Sequence, residues 1–346
     1  SWSMYTPWMI PAECQSHARS SVHMRSGINP ATCVTGLVPL GATDASAAYP
    51  TDPNTVTQGF TAGGGSDTLA QLTQPYLQKI IGQSFINQYI PGATGAIAWT
   101  RLAKATKADG YTISITNTPM LQTNYIMNKE VTYNIRELEP IANVITDPGI
   151  IVVGKDSPLK TYEDFVNAVK ANPGKVTVGN SGTGGDDFFT SIQWMKKSGL
   201  KIQMVPFEGD GPSWQAAMGG KIDVSFNNLG ITYPQLKGGN LRALAIFAEK
   251  RFPLLPDVQT LKELGIDQVS GSSRGYSAPK GIPAEAKAAL IDAFKKMAQD
   301  PAFIKGCEDR ASAIDMKYGD EYKAFLENEE KIFTEIWEEV KSEVKK

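Results

Sequence analysis

At 346 residues the chain is about twice the usual domain size, so two domains or one large one, with ample interior and no need of a disulfide scaffold, are expected. Its 34 Lys and Arg against 36 Asp and Glu give a net charge of -2, which supplies neither a basic field for nucleic acid nor polybasic attachment to anionic lipid. The only two histidines, His17 and His23, lie in the first segment, which excludes Ser-His-Asp triads, His-ligated zinc and histidine acid/base catalysis from everything after it.

Residues 1–47 carry no apolar period and no lysine, and they are set aside from the fold. A weakly apolar Cys33-Val34-Thr35-Gly36-Leu37-Val38 followed by Ala45-Ser46-Ala47, a small-x-small cleavage pattern, reads as a secretory leader. Leu37-Val38-Pro39-Leu40-Gly41 also resembles a protease site of expression tags, so a native leader and tag-derived residues both stay open. From Thr55 onward, short β-branched runs alternate with amphipathic stretches, which predicts an α/β fold with mostly parallel strands. Strands are expected at Thr55–Gly59, Ser84–Tyr89, Thr112–Thr116, Ile150–Gly154, Lys175–Gly179, Lys201–Pro206, Asp223–Phe226, Arg242–Phe247 and Gly275–Ala278. Helices are expected at Asp67–Gln78, Ile97–Lys104, Thr161–Lys170, Asp187–Lys197, Pro212–Met218, Leu261–Leu264, Ala284–Gln299 and Tyr322–Val340. In the last, Tyr322, Phe325, Leu326, Ile332, Phe333, Ile336, Trp337 and Val340 keep helical spacing on one face, the signature of core packing. Cys307, the only thiol after the leader, reads as a small buried hydrophobe on a late helix. The longest apolar runs, such as Gly149–Gly154 and Ala243–Ala248, are of strand length, too short to span a membrane.

Two strands run into glycine-rich loops that open helices: Gly59-Phe60-Thr61-Ala62-Gly63-Gly64-Gly65-Ser66-Asp67 and Gly179-Asn180-Ser181-Gly182-Thr183-Gly184-Gly185-Asp186-Asp187. A helix start offers unpaired N–H groups and a partial positive charge, and glycine lets a ligand approach the backbone closely. Each loop is therefore either an anion cradle or a tight turn with Ser66 or Asp67, and Asp186 or Asp187, as helix caps. Neither loop completes G-x-x-x-x-G-K-[ST] or G-x-G-x-x-G, which disfavours nucleotides. A small carboxylate fits better, because Asp67, Asp186 and Asp187 would repel a phosphate dianion more strongly.

Phe60-Thr61-Ala62-Gly63-Gly64-Gly65-Ser66-Asp67 resembles the F-x-x-G-G-x-x-D loop of the periplasmic solute-binding proteins of tripartite tricarboxylate transporters, the Bug or TctC family. Gln88–Gly95 is similar to that family's N-x-x-G-A-x-G turn, and Ala108-Asp109-Gly110-Tyr111-Thr112 to its P-D-G-Y-T step. The likeness continues through Val178–Gly184, Val205-Pro206-Phe207-Glu208-Gly209, Gly219–Asp223, Leu241–Ala245, Leu255–Thr260 and Ser277–Pro283, covering the chain from Thr55 to its end.

The resemblance implies a two-lobed, type II clamshell with two hinge-crossing strands, read as Ile150–Gly154 and Arg274–Ala278. Lobe one would be residues 48–147 with 273–346, and lobe two residues 148–272, each owning one glycine loop. It carries over Phe60, Gly63, Gly64, Ser66 and Asp67, and Ser181, Gly182, Thr183, Gly184 and Asp186, as cleft lining, with no catalytic residue, metal or cofactor. Asn117 is either a ligand contact or a turn former, and Phe207 either pocket wall or core. Arg274 would pair with a second ligand carboxylate through its fork, or form a surface ion pair at the hinge. Glu208 stands where the family commonly has lysine, and Gly185-Asp186-Asp187-Phe188 replaces S-x-x-H-L, so a mono- or dicarboxylate, aromatic given Phe60, Phe188 and Phe207, is preferred to a tricarboxylate. The function implied is a monomeric periplasmic receptor, not an enzyme, that delivers a small organic carboxylate to membrane transporter subunits and binds no nucleic acid. The alternative is an enzyme or sensor on the same fold, with Asp67 and Asp186 in acid/base roles.

Overall fold

The computed structural model describes residues 48–62 and 64–344, so the leader expectation and Gly63 lie outside the described residues. The first part of the chain alternates β1 (Asn54–Gln58), α1 (Gly65–Ile81), β2 (Phe85–Tyr89), α2 (Ala96–Ala105), β3 (Thr112–Thr118) and α3 (Met120–Met127) before a long strand, β4 (Leu138–Gly154). A second alternating series follows: α4 (Tyr162–Ala171), β5 (Thr177–Asn180), α5 (Asp186–Ser198), β6 (Gln203–Pro206), α6 (Asp210–Met218), β7 (Val224–Asn228), α7 (Leu229–Lys237) and β8 (Leu241–Phe247). The chain then returns through β9 (Gly271–Pro279), α8 (Ala284–Ala298), α9 (Pro301–Asp309), β10 (Ile314–Tyr318) and α10 (Gly319–Val344).

The strand order is β2-β1-β3-β9-β4-β7-β5-β6, with β8 and β10 also paired to β4. The expected parallel pairing holds where helices link the strands, for β1 with β2 and β3 and for β5 with β6 and β7. It does not hold around β4, whose partners β7, β8, β9 and β10 are all antiparallel, because the chain enters and leaves this region in opposite directions. β4 pairs with β9 as far as Pro148↔Gly271 and with β7 and β8 from Gly149 onward, so the change of partners falls just ahead of the expected crossings. Ile141, Val144 and Ile145 of this strand pack with Leu69, Ile113, Tyr276 and Leu290, whereas Ile151 and Val153 pack with Phe165, Trp194 and Phe226. Fully burying each such side chain is worth roughly 1.5–3 kcal/mol.

Leu261–Leu264 is a single turn closed by Leu264 N to Thr260 O and ended by Gly265, too short to be a helix. On α10 Tyr322, Leu326, Trp337 and Val340 are buried as expected, but Ile332 is 38% exposed because it lies about 100° round the helix from that stripe. Cys307 is buried on α9, and burial pushes its thiol up to about 11. Among the described residues no helix is long and apolar enough to cross a membrane.

Candidate functional site

Both glycine loops leave the carboxyl end of a parallel strand, the edge at which open α/β sheets take their ligands. Gly64 and Gly185 cap α1 and α5 in extended conformations without any side-chain bond, so the expected Ser and Asp caps are overturned. Ser66 and Asp67 sit inside the first turn of α1, and Asp186 and Asp187 inside that of α5. At the start of α5 the Asp186 carboxyl itself accepts from the backbone N–H groups of Asp186 and Asp187. Gly182 and Gly184 hold φ of 112° and 89°, the left-handed region where a side chain would be strained.

Arg274 lies between the two helix starts. It is only 4% exposed, which overturns the surface ion pair. Its Nη1 donates to Asp147 Oδ2 at 3.0 Å and its Nη2 to Asn228 Oδ1 at 3.1 Å, so both terminal nitrogens of the fork are engaged by the protein. Asn228 Nδ2 in turn donates to Asp186 Oδ2 at 2.7 Å. On the other side, a Cβ placed on Gly65 would come within 2.7 Å of Arg274 Nε. The start of α5 is therefore bonded to the guanidinium through one amide, while the start of α1 packs closely against the same guanidinium, whose Nε is buried without a hydrogen-bond partner among the described residues. Asn117 faces Arg274 in the β3–β9 register, and its Oδ1 accepts from Ser66 Oγ at 3.0 Å.

The electrostatics are lopsided. Asp147, Asp186 and Asp187 are buried and Asp210 half-buried, with Arg274 the one basic side chain bonded within the group among the described residues. Burial raises the carboxyl groups of Asp147 and Asp186 above their ordinary range. Burial, then the neighbouring Asp186 and Asp210, holds Asp187 well above it, and burial with Asp186 pushes Asp210 up to about 6. Burial opposes the charge on Arg274, but Asp147 and Asp210 hold its proton on. Oxygens of Asp186, Asp187 and Asp210 lie within 4.8 Å of one another, a metal-capable spacing that sequence reading missed because Asp210 sits on another helix.

The remaining predicted residues divide between cleft and core. Phe60 is half-buried against Trp99, with ring centroids 6.2 Å apart, and Phe207 is half-buried against Ala216, Ala217 and Ile222. Phe188, expected as a pocket aromatic, packs with Phe189, Ile192 and Trp337 and also borders the cavity that Asn180 and Thr183 line. Asp67 accepts from Tyr89 OH at 2.7 Å and from Gln71 Nε2 at 3.1 Å. Ser181 Oγ is buried without a hydrogen-bond partner among the described residues, while Thr183 and Asn180 border a cavity of about 890 Å³ beside α5 and α10. Gly184 O accepts from Thr123 Oγ1 at 2.6 Å. Sequence reasoning missed Asp147, Asn228 and Thr123; the only local signal was the Asn227-Asn228 pair at a strand end.

Residues 69–341 match the family described as tripartite tricarboxylate transporter family receptor. A protein of Cupriavidus necator described as UPF0065 protein in gbd 5'region is 33% identical over 280 residues, 81% of this chain and 84% of that protein. A Rhodopseudomonas palustris protein solved with adipate has a TM-score of 0.79 at 25% identity, covering 84% of this chain and 97% of that one. MatC from Rhodopseudomonas palustris, solved with bound malate, has a TM-score of 0.75 at 25% identity, covering 83% and 99%. These likenesses agree with the periplasmic-binding-protein fold implied by the strand and loop motifs, and the chain belongs to the tripartite tricarboxylate transporter receptor family.

Proposed function

We propose that the chain is a periplasmic receptor, not an enzyme, that captures a small mono- or dicarboxylate between two lobes and delivers it to membrane transporter subunits. The lobes are residues 48–147 with 273–346, and residues 148–272. The observation that supports this reading is the meeting of the α1 and α5 starts around buried Arg274, since two anion-attracting helix ends so close together suit a ligand carboxylate. Adipate in one structural relative and malate in another support a carboxylate ligand.

Phe60, Gly64, Ser66, Asp67 and Asn117 form one wall, and Ser181, Gly182, Thr183, Gly184, Asp186 and Phe207 the other. Arg274, with its terminal nitrogens engaged, anchors the walls. Each helix end contributes roughly 0.3–1 kcal/mol, up to about 2 when partly buried. Micromolar binding needs about 8 kcal/mol, so direct and water-mediated hydrogen bonds from both loops supply most of the affinity. A ligand that touches both walls binds the closed form better and shifts the population toward it. The buried acidic group favours one or two ligand carboxylates over three.

A thermal-shift screen of mono-, di-, tri- and aromatic carboxylates tests this. The expected result is stabilisation by about 2.7 kcal/mol at a hundredfold excess over Kd for at least one mono- or dicarboxylate. Absence of any hit, or chemical conversion of a hit, overturns the receptor reading.

A further inference from the structure

Asn228 closes β7 at the position that caps α7, where an asparagine normally turns its side chain onto the first free N–H groups of its own helix. Here no such bond forms. The side chain, fully buried, instead accepts from Arg274 Nη2 at 3.1 Å and donates to Asp186 Oδ2 at 2.7 Å. Its backbone is held as well: Gly149 faces it across the β4–β7 ladder, and two residues on Gly230 N donates to Asp147 Oδ1 at 2.8 Å. Among the groups around it, Asp147, Asp186, Asp187 and Asp210 are acidic and Arg274 is basic. An amide suits this place because it presents an acceptor to the guanidinium and a donor to the carboxylate at once.

We propose that Asn228 is a positioning residue for ligand capture, fixing the start of α5 against Arg274, and through it the start of α1, without itself bonding the ligand. This rests on the carboxylate-receptor reading. Its consequence is that the separation of the two loops is set by one side chain on neither loop. Loss of that side chain would weaken every ligand that bridges the loops by the same factor.

The test uses Asn228→Asp and Asn228→Ala in the full chain, with adipate and benzoate as probes. Asn228→Asp is nearly isosteric and keeps the acceptor toward Arg274, but turns a lone pair onto Asp186 in place of the donor. At pH 7.5 it is expected to weaken both probes by a common factor of about tenfold or more, and to regain affinity relative to the parent protein as pH falls toward 5 and the pair takes up a proton. Asn228→Ala is expected to lose as much without regaining it. Hydrogen exchange in the ligand-free proteins is an independent arm. The amides of residues 184–189 should exchange faster in both variants at pH 7.5, and the excess should vanish at pH 5 for Asn228→Asp alone.

Parental affinity in Asn228→Asp, equal losses at both pH values in the two variants, or a loss confined to adipate overturns the proposal; the last outcome would mean direct contact with a second carboxylate. If neither probe binds the parent protein, the affinity arm is run with a carboxylate that the thermal-shift screen identifies; if that screen has no hit, the carboxylate reading fails and the exchange arm alone decides the positioning role. Unchanged exchange there overturns it.

Discussion

The hydroxyl of Thr123, on α3, donates to the carbonyl of Gly184 in the second glycine loop at 2.6 Å, tying a helix of the first alternating series to a loop of the second. Both residues belong to a tight junction, since a Cβ on Gly184 would come within 3.2 Å of Met127 Sδ. Thr123→Val keeps the shape and removes the donor, leaving a buried carbonyl unpaired at a cost of about 1–3 kcal/mol. The expected outcome is a lowered melting temperature together with weaker carboxylate binding, measured by calorimetry. Loss of stability with unchanged affinity would mean that this contact does not favour the ligand-bound state.

Gly65→Ala presses a methyl group onto Arg274, whose Nε, Cζ and Nη2 would lie 2.7, 2.8 and 2.9 Å from the new Cβ. The guanidinium is held by Asp147 and Asn228 and has little room to retreat. Overpacking of this kind typically costs about 1–3 kcal/mol. Titration calorimetry should show at least tenfold weaker carboxylate binding, a larger effect than at Gly82, where a Cβ meets nothing within 4 Å.

The raised carboxyl of Asp210, at about 6, fixes a sign for the pH dependence of the ligand-free protein. A carboxyl that holds its proton more tightly when folded favours the folded state at low pH, and that contribution is lost as pH rises through the folded value. Stability is therefore expected to fall between pH 4 and about 7, with Asp210 accounting for about 3 kcal/mol at most. Glu329, pushed up to about 7 by burial, acts in the same direction. Glu263, drawn down to about 2 by Arg251, acts oppositely but only at lower pH, as its contribution is complete above the ordinary glutamate range. Asp210→Asn should flatten the decline in denaturant melts taken across this window, and Glu329→Gln should flatten its upper end.

Trp337 of α10 is buried with Phe188, Phe189 and Ile192 of α5 and Ile126 of α3. Removing so large a side chain from a packed cluster typically costs about 3–5 kcal/mol. Trp337→Ala is expected to lower the urea midpoint by a corresponding amount and to expose the α5 amides to exchange. A loss below 1 kcal/mol would mean that the far end of α10 contributes little to the packed state.

Much of the fold was readable because most of the expected strands are short apolar or β-branched runs followed by Gly, Pro, Asn or Ser, and each strand in the structure overlaps an expected one except β10. α3 was missed because Met120, Leu121, Gln122, Thr123 and Ile126 are all buried, so its burial does not follow a single face. α7 carries Pro234 in its interior, and α9 carries Gly306, both of which mask a helical pattern. The two loops were legible as loop-to-helix junctions, but the capping residues were not: serine and aspartate are preferred caps, yet Gly64 and Gly185 take those places. The wiring of the site was out of reach of local reading. Arg274 reaches Asp147 across 127 positions and Asn228 across 46, and only the register of β4, β7 and β9 brings them together.

The 17-residue strand β4 has a consequence for how the molecule comes apart. Its first part lies in the same packed interior as Leu69 and Tyr276, and its last residues in that of Phe165 and Trp194, so neither interior can melt while leaving the strand intact for the other. Denaturant should therefore unfold both regions in one transition, with fluorescence and circular dichroism tracing the same curve. On the receptor reading proposed above, opening and closing would fall at Pro148 and Gly149, where β4 changes partners, while the molecule remains, thermodynamically, one piece.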